Sequence, residues 1–248
     1  MPLGERGTVR VGDTVRRPWQ PWHRPVHALL AHLRSVGFSE VPAVRGVDDE
    51  GREVLQWVEG DAGVEPVSSE VSSDHALVEV AKLIRRFHDA TTTFHWEPGG
   101  WNPLLADPTG STEVMCHNDL STYNIIYRRA EPVALIDWEF ASPGSRLWDL
   151  AYASVWLVPL HSPEYCLSAG WGNIDYARRL RLFCDSYGLD STRHDLLDVV
   201  SERQARNREQ LRAWASQGIL DPSSDYLRLD ADAAHLARLH NELERALA

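Results

Sequence analysis

A short stretch in the middle of the chain holds side chains whose types and spacing could do chemistry together. His117-Asn118-Asp119 is followed by Leu120-Ser121-Thr122-Tyr123 and then Asn124. An apolar run, Ile125-Ile126-Tyr127, a polar turn and a second run, Val133-Ala134-Leu135-Ile136, then lead to Asp137. Read as a hairpin, this order puts two carboxylates and an amide at its mouths. An apolar strand that delivers an aspartate to its end is costly if the carboxylate is buried unpaired, and a cation is the natural partner. A lone His-Asn-Asp is ordinary in a solvated turn. The ordered set, with its hairpin and the Trp148-Asp149-Leu150 that follows, is what separates it from that background.

The elements that must hold these residues can be read from patterning. GTVRVGDTVRRP has β-branched residues on both sides of Gly12-Asp13, which predicts a two-strand hairpin ended by Pro18. Over residues 25–36, Val26, Leu29, Leu30 and Leu33 recur at three and four residues, which predicts a short amphipathic helix stopped by Gly37. PAVRGVDD and REVLQWVEG predict a second strand pair, and residues 61–74 read as a connector without periodicity. HALVEVAKLIRRFHDAT is helical, with Leu77, Val80, Ala81, Ile84 and Phe87 on one face. Beyond Leu147 the pattern is helical nearly throughout, broken by Pro159, Gly170, Gly188, Gly218 and Pro222.

Composition narrows the field. The 248 residues suffice for one domain or two small lobes around a cleft. No apolar run approaches the roughly 20 residues that span a bilayer, and neither a signal segment nor a paired cysteine framework is evident, so no membrane partner and a cytoplasmic location are expected. A formal charge of −11 disfavours nucleic acid and mildly favours cationic ligands. Lys82 is the only lysine.

The central segment resembles the aminoglycoside phosphotransferase family, relatives of choline kinases and, more distantly, of protein kinases. The likeness rests on the His-x-Asp-x-x-x-x-Asn loop, the Ile-Asp-x-Glu after a short hairpin and the Trp-Asp-Leu-Ala helix start. The small amino-terminal region is similar to that of bacterial members labelled trifolitoxin-immunity-like. The resemblance implies an α+β, protein-kinase-like fold with a reduced β lobe over residues 1–60 and a mostly helical lobe over residues 61–248. It implies Asp119 as catalytic base and Asn124 and Asp137 as Mg2+ ligands, with His117 and Asp149 bracing the loop. Glu139, two residues beyond Asp137, points to the same side on an extended chain and could contact a second metal ion or its water. Gln56, Trp57 and Val58 would meet the adenine of ATP, with GTP left open.

The chain departs from the kinase pattern in its first sixty residues, which hold no Gly-rich loop, no lysine and, in the predicted helix, no glutamate. Pairing across Gly12-Asp13 puts Arg16 on the face of Val9 and Val11, making it the first substitute for a phosphate-binding lysine, with Arg17 the alternative. Asp195, Asp198, Glu202 and Glu209 near helical spacing could form an acidic wall for a cationic acceptor, or simply a solvated helix face. The expected activity is Mg2+-dependent phosphoryl transfer to a hydroxyl of an aminoglycoside-like or other small molecule. The rivals are a non-catalytic kinase-like binding or immunity protein and a kinase for peptide Ser or Thr. The acceptor's identity and the oligomeric state are not encoded in any recognisable motif.

Overall fold

The computed structural model describes residues 7–190, 192–216 and 225–247. Gly12-Asp13 closes the first hairpin between β1 (Val9–Val11) and β2 (Thr14–Pro18), and the φ of 61° at Gly12 is one that favours glycine. β2 pairs in turn with β4 (Arg52–Gln56), which also pairs β3 (Val44–Val47), giving an antiparallel sheet of order β1-β2-β4-β3. The helix α1 (His23–Ser35) buries Val26, Leu29, Leu30 and Leu33 completely. It begins two residues before the predicted Pro25, because a proline in the first helical turn sacrifices no intrahelical hydrogen bond.

The connector carries more order than its composition suggests. Asp61–Ala62 forms β5, which pairs with β7 (Ile125–Arg128) in a sheet of order β5-β7-β8, where β8 is Glu131–Leu135. A two-residue strand is too short to leave a periodic signal. Glycine permits the close approach: a Cβ on Gly60 would lie 2.5 Å from the Tyr127 carbonyl oxygen, and one on Gly63 would lie 2.8 Å from that of Thr122.

α2 (Asp74–Thr91) starts at Ser73, whose hydroxyl accepts from the Ala76 N–H, and it buries the predicted face. β6 (Val114–Cys116) pairs with β9 (Ser142–Gly144), so that everything between them is presented as one loop-and-hairpin unit. Five α-helices follow among the described residues: α3 (Arg146–Leu157), α4 (Pro163–Ser168), α5 (Tyr176–Tyr187), α6 (Leu196–Ser216) and α7 (Asp225–Leu247). α2 packs on α5, and α3 on α6. Gly218 and Pro222, expected to break this region, lie outside the described residues. No helix among the described residues is long and apolar enough to cross a membrane. Cys116, Cys166 and Cys184 are all buried and unpaired.

Candidate active site

The loop after β6 is anchored from behind. Asp149, fully buried in the first turn of α3, accepts hydrogen bonds from the N–H groups of His117 (2.9 Å) and Asn118 (2.7 Å) and meets His88 Nε2 at 3.0 Å. Burial alone would raise its pKa, but these donors hold the carboxyl below its ordinary range. Asn118 adopts a left-handed φ of 67°, which asparagine tolerates better than most residues. The conformation is over-determined: its side chain donates to Phe140 O and Ser142 Oγ, and its carbonyl accepts from Arg203 Nη2 at 2.5 Å.

That tight turn throws Asp119 forward. The His117 ring lies with Nε2 2.9 Å from the Ile136 carbonyl and Nδ1 3.3 Å from the Asp119 N–H, which matches a neutral ring that donates at Nε2 and accepts at Nδ1. Asp119 Oδ1 accepts from the Tyr152 hydroxyl at 2.6 Å, and its Oδ2 accepts from Asn124 Nδ2 at 2.8 Å. Asn124, at the end of the short 3-10 turn Thr122–Asn124, also donates to the Asp119 carbonyl. Burial pushes the Asp119 pKa up, against the lowering effect of the Tyr152 and Asn124 hydrogen bonds, with nearby Asp137 adding to the rise.

Asp137 sits just past β8 with a left-handed φ of 61° and is exposed. Its Oδ1 takes a hydrogen bond from Arg17 Nη1 at 2.7 Å, a contact that ties β2 of the first sheet to the β7–β8 hairpin. Arg17 also pairs with the fully buried Glu53, its direct cross-strand neighbour on β4. Glu53 in turn meets His27 Nε2 of α1 at 2.7 Å. Burial works against this buried carboxylate, but His27 and Arg17 keep its pKa below the ordinary value. His23, packed behind, is pushed down to about 4, chiefly by burial.

The structure thus corrects the reading of Arg16. The register was read correctly, since Val9 opposes Arg16 and the two share a face, but Arg16 pairs there with Asp48 at 3.3 Å, and it is Arg17, on the opposite face, that reaches Asp137. The choice of face failed because Glu53, Val54 and Leu55 on the neighbouring strand are all buried, which erases the alternation that marks an inner face. The carboxylate that pairs with Arg17 is Glu53 on a strand, and His27 links it to α1.

Glu139 also departs from its expected direction. Glu139 does not continue an extended strand from Asp137, because the left-handed residue bends the chain into a turn that buries Trp138; Glu139 borders a shallow groove beside Trp22 and Phe140. In the stretch of Gln56, Trp57 and Val58, the Gln56 N–H donates to Ala43 O and the Trp57 N–H to Asp13 O, while the Arg10 guanidinium covers the Trp57 ring at 4.2 Å. Asp195, Asp198, Glu202 and Glu209 are exposed, with Glu202 paired to Arg206 at 3.0 Å, as on a solvated face.

A cavity of about 230 Å³ opens beside Asp119. Its walls include Phe140, Tyr152, Trp156, Arg203 and the amides of Asn207 and Gln210. Arg203 is buried and stacked between the rings of Trp148 (4.6 Å) and Tyr152 (4.8 Å). Tyr152 and Arg203 escaped the sequence reading; Tyr152 had a signal, lying one helical turn after Asp149, whereas Arg203 is one arginine among several on α6.

Asn124 and Asp137 offer hard oxygen donors suited to Mg2+. Among the described residues no three His, Cys, Asp or Glu side chains form a metal cage.

Comparison with known proteins follows the same lines. Residues 101–183 match the family model for the phosphotransferase enzyme family. The trifolitoxin immunity protein of Rhizobium leguminosarum bv. trifolii is 36% identical over 192 residues, 75% of this chain and 72% of the relative. Among solved structures, an amicoumacin kinase complex with AMP-PNP and Ca2+ superposes with a TM-score of 0.61 at 12% identity, covering 98% of this chain and 89% of that one. The GDP complex of aminoglycoside 2'-phosphotransferase-IIIa gives 0.60 at 17% identity, covering 94% and 91%. A choline/ethanolamine kinase family protein from Mesorhizobium loti gives 0.58 at 18% identity, covering 97% and 87%. These likenesses establish the kinase-like α+β fold.

Proposed function

The chain belongs to the phosphotransferase enzyme family of the aminoglycoside phosphotransferase and choline kinase type, and from that premise we propose that it transfers the terminal phosphoryl group of a nucleoside triphosphate to a hydroxyl of a small molecule. One observation carries the reading: Asp119 borders a cavity with its carboxylate oriented by Tyr152 and Asn124. Asp119 accepts the acceptor hydroxyl's proton, and its raised pKa makes it a better base than an ordinary carboxylate. Tyr152 and Asn124 fix the line of attack, and His117 and Asp149 hold the loop that carries them.

Asn124 and Asp137 would hold Mg2+, which when bound neutralises charge on the nucleotide's phosphates. Arg17, oriented by Glu53, takes the part expected of a lysine; its planar fork suits phosphate, and burial of the pair keeps it aimed. Because Arg17 also holds Asp137, nucleotide binding would redistribute this contact between carboxylate and phosphate. Residues 1–60 and 61–248 would serve as the two lobes, with the adenine edge against the backbone of Trp57 and Val58.

Calorimetric titration of ATP and GTP with and without Mg2+, on wild type and Asp137→Ala, tests this. Mg2+-dependent binding that the variant loses supports the proposal, and absence of binding to either nucleotide would sink it. A second reading, a binding protein without turnover, is favoured by the immunity-protein relative and by the Arg17–Asp137 contact across the nucleotide cleft. Nucleotide binding without ADP release in the presence of hydroxylated acceptors would select it.

A further inference from the structure

His161, between α3 and α4, lines the same cavity as Asp119 and is only 2% exposed. Its Nδ1 is 2.8 Å from Oδ2 of Asp232 on α7, and the other oxygen of Asp232 accepts the Ser162 N–H at 2.8 Å. The edge-on rings of Trp156 (5.1 Å) and Tyr165 (4.7 Å) fix the plane of the imidazole. Its Nε2 has no hydrogen-bond partner, and Nε of Arg203, in the same cavity wall, is likewise buried and unmatched. Buried polar atoms in native proteins are nearly always satisfied, so two unmatched atoms in the wall of one cavity mark a place where a ligand completes the bonding.

We infer that His161, aligned by Asp232, is a specificity-determining residue that accepts a hydrogen bond at Nε2 from a second hydroxyl of the phosphoryl acceptor. The inference rests on the phosphotransferase reading and names the acceptor class within it: a compact polyhydroxylated molecule, with one hydroxyl at Asp119 and another at His161. The bond from Nδ1–H to Asp232 selects the tautomer whose lone pair lies at Nε2. Among the described residues both carboxylates of the cavity are already engaged, Asp119 by Tyr152 and Asn124 and Asp232 by His161 and Ser162, and the other polar groups are the Tyr152 hydroxyl, neutral amides and the cationic Arg203, a lining better matched to hydroxyls than to a polyamine.

Nitrogen-15 spectra of the full chain, with His161 assigned through His161→Gln, read the ring directly during titration with myo-inositol, glucose and the hydroxyl-free polyamine spermine. The expected result is a ring protonated at Nδ1 whose Nε2 signal moves with a polyol and not with spermine. For a polyol that accepts phosphate, His161→Ala should raise its KM about tenfold, the value of one hydrogen bond, while the nucleotide KM holds. His161→Gln, which keeps an acceptor oxygen, should recover part of the loss. An Nε2-protonated ring, an Nε2 signal indifferent to both polyols, or an unchanged KM in His161→Ala would overturn the inference. Failure of Mg2+-dependent nucleotide binding in the separate calorimetric titration would instead defeat the phosphotransferase reading, so the two failures are distinguishable.

Discussion

The two carboxylate oxygens of Asp119 answer to different elements, Tyr152 on α3 and Asn124 in the turn just before β7. A base positioned from both sides contributes typically 10²–10⁴-fold to a rate. Asp119→Asn should therefore cut kcat by about that factor in an ADP-release assay, with little change in melting temperature because the side chain keeps its size. Tyr152→Phe, which removes one hydrogen bond to a charged group, should cost roughly tenfold or somewhat more. An unchanged kcat in Asp119→Asn would remove it from the chemistry. At this scale the spacing of His117, Asp119, Asn124, Asp137 and Asp149 was legible because loop and hairpin are contiguous in the chain. Glu53, Tyr152, Arg203 and His161 were not, since each acquires its partner from a distant element and no local pattern announces it.

Between elements, the β2–β4 pairing decides which arginine matters. Arg17→Ala leaves Glu53 buried with one cationic partner fewer, a loss of about 3 kcal/mol on the scale of broken buried pairs. Arg16→Ala breaks a partly exposed pair with Asp48 and should cost about 1 kcal/mol or less. Urea unfolding of both variants checks the contrast, and equal losses would mean the buried cluster carries no special weight. The β5 crossing makes a second demand. Gly63→Ala would drive a Cβ to 2.8 Å from the Thr122 carbonyl in the loop between Asp119 and Asn124. Because backbone cannot yield as a side-chain tip can, this variant should lower both melting temperature and kcat.

For the molecule as a whole, the order of strands and helices was largely readable from periodicity and turn chemistry: the first hairpin, the faces of α1 and α2 and the loop-hairpin unit all follow from residues close in the chain. What escaped was β5, and the face of β2 that meets the hairpin. Acid tolerance is also a whole-molecule property. Asp107 accepts from the N–H and hydroxyl of both Thr109 and Ser145, pinning the segment before β6 to the start of α3. Burial alone would raise its pKa, but these bonds win and hold it below the ordinary value. A carboxyl depressed in the folded state stabilises above its unfolded pKa, near 3.9, and that contribution disappears as pH falls through the folded value. Asp107→Asn should therefore lower stability at pH 6 by more than it does at pH 3, as measured by denaturant unfolding. An equal loss at both would place the Asp107 contribution outside its charge.

Arg203 closes the floor of the cavity and at the same time grips the carbonyl of the left-handed Asn118. A change of substrate range by mutation is therefore channelled. Position 203 is frozen by its duty to the turn that carries Asp119, whereas Asn207 and Gln210, on the same helix and lining the same space, are free to vary. Divergence of such a chain toward new acceptors, in nature or by directed selection, would begin at those amides.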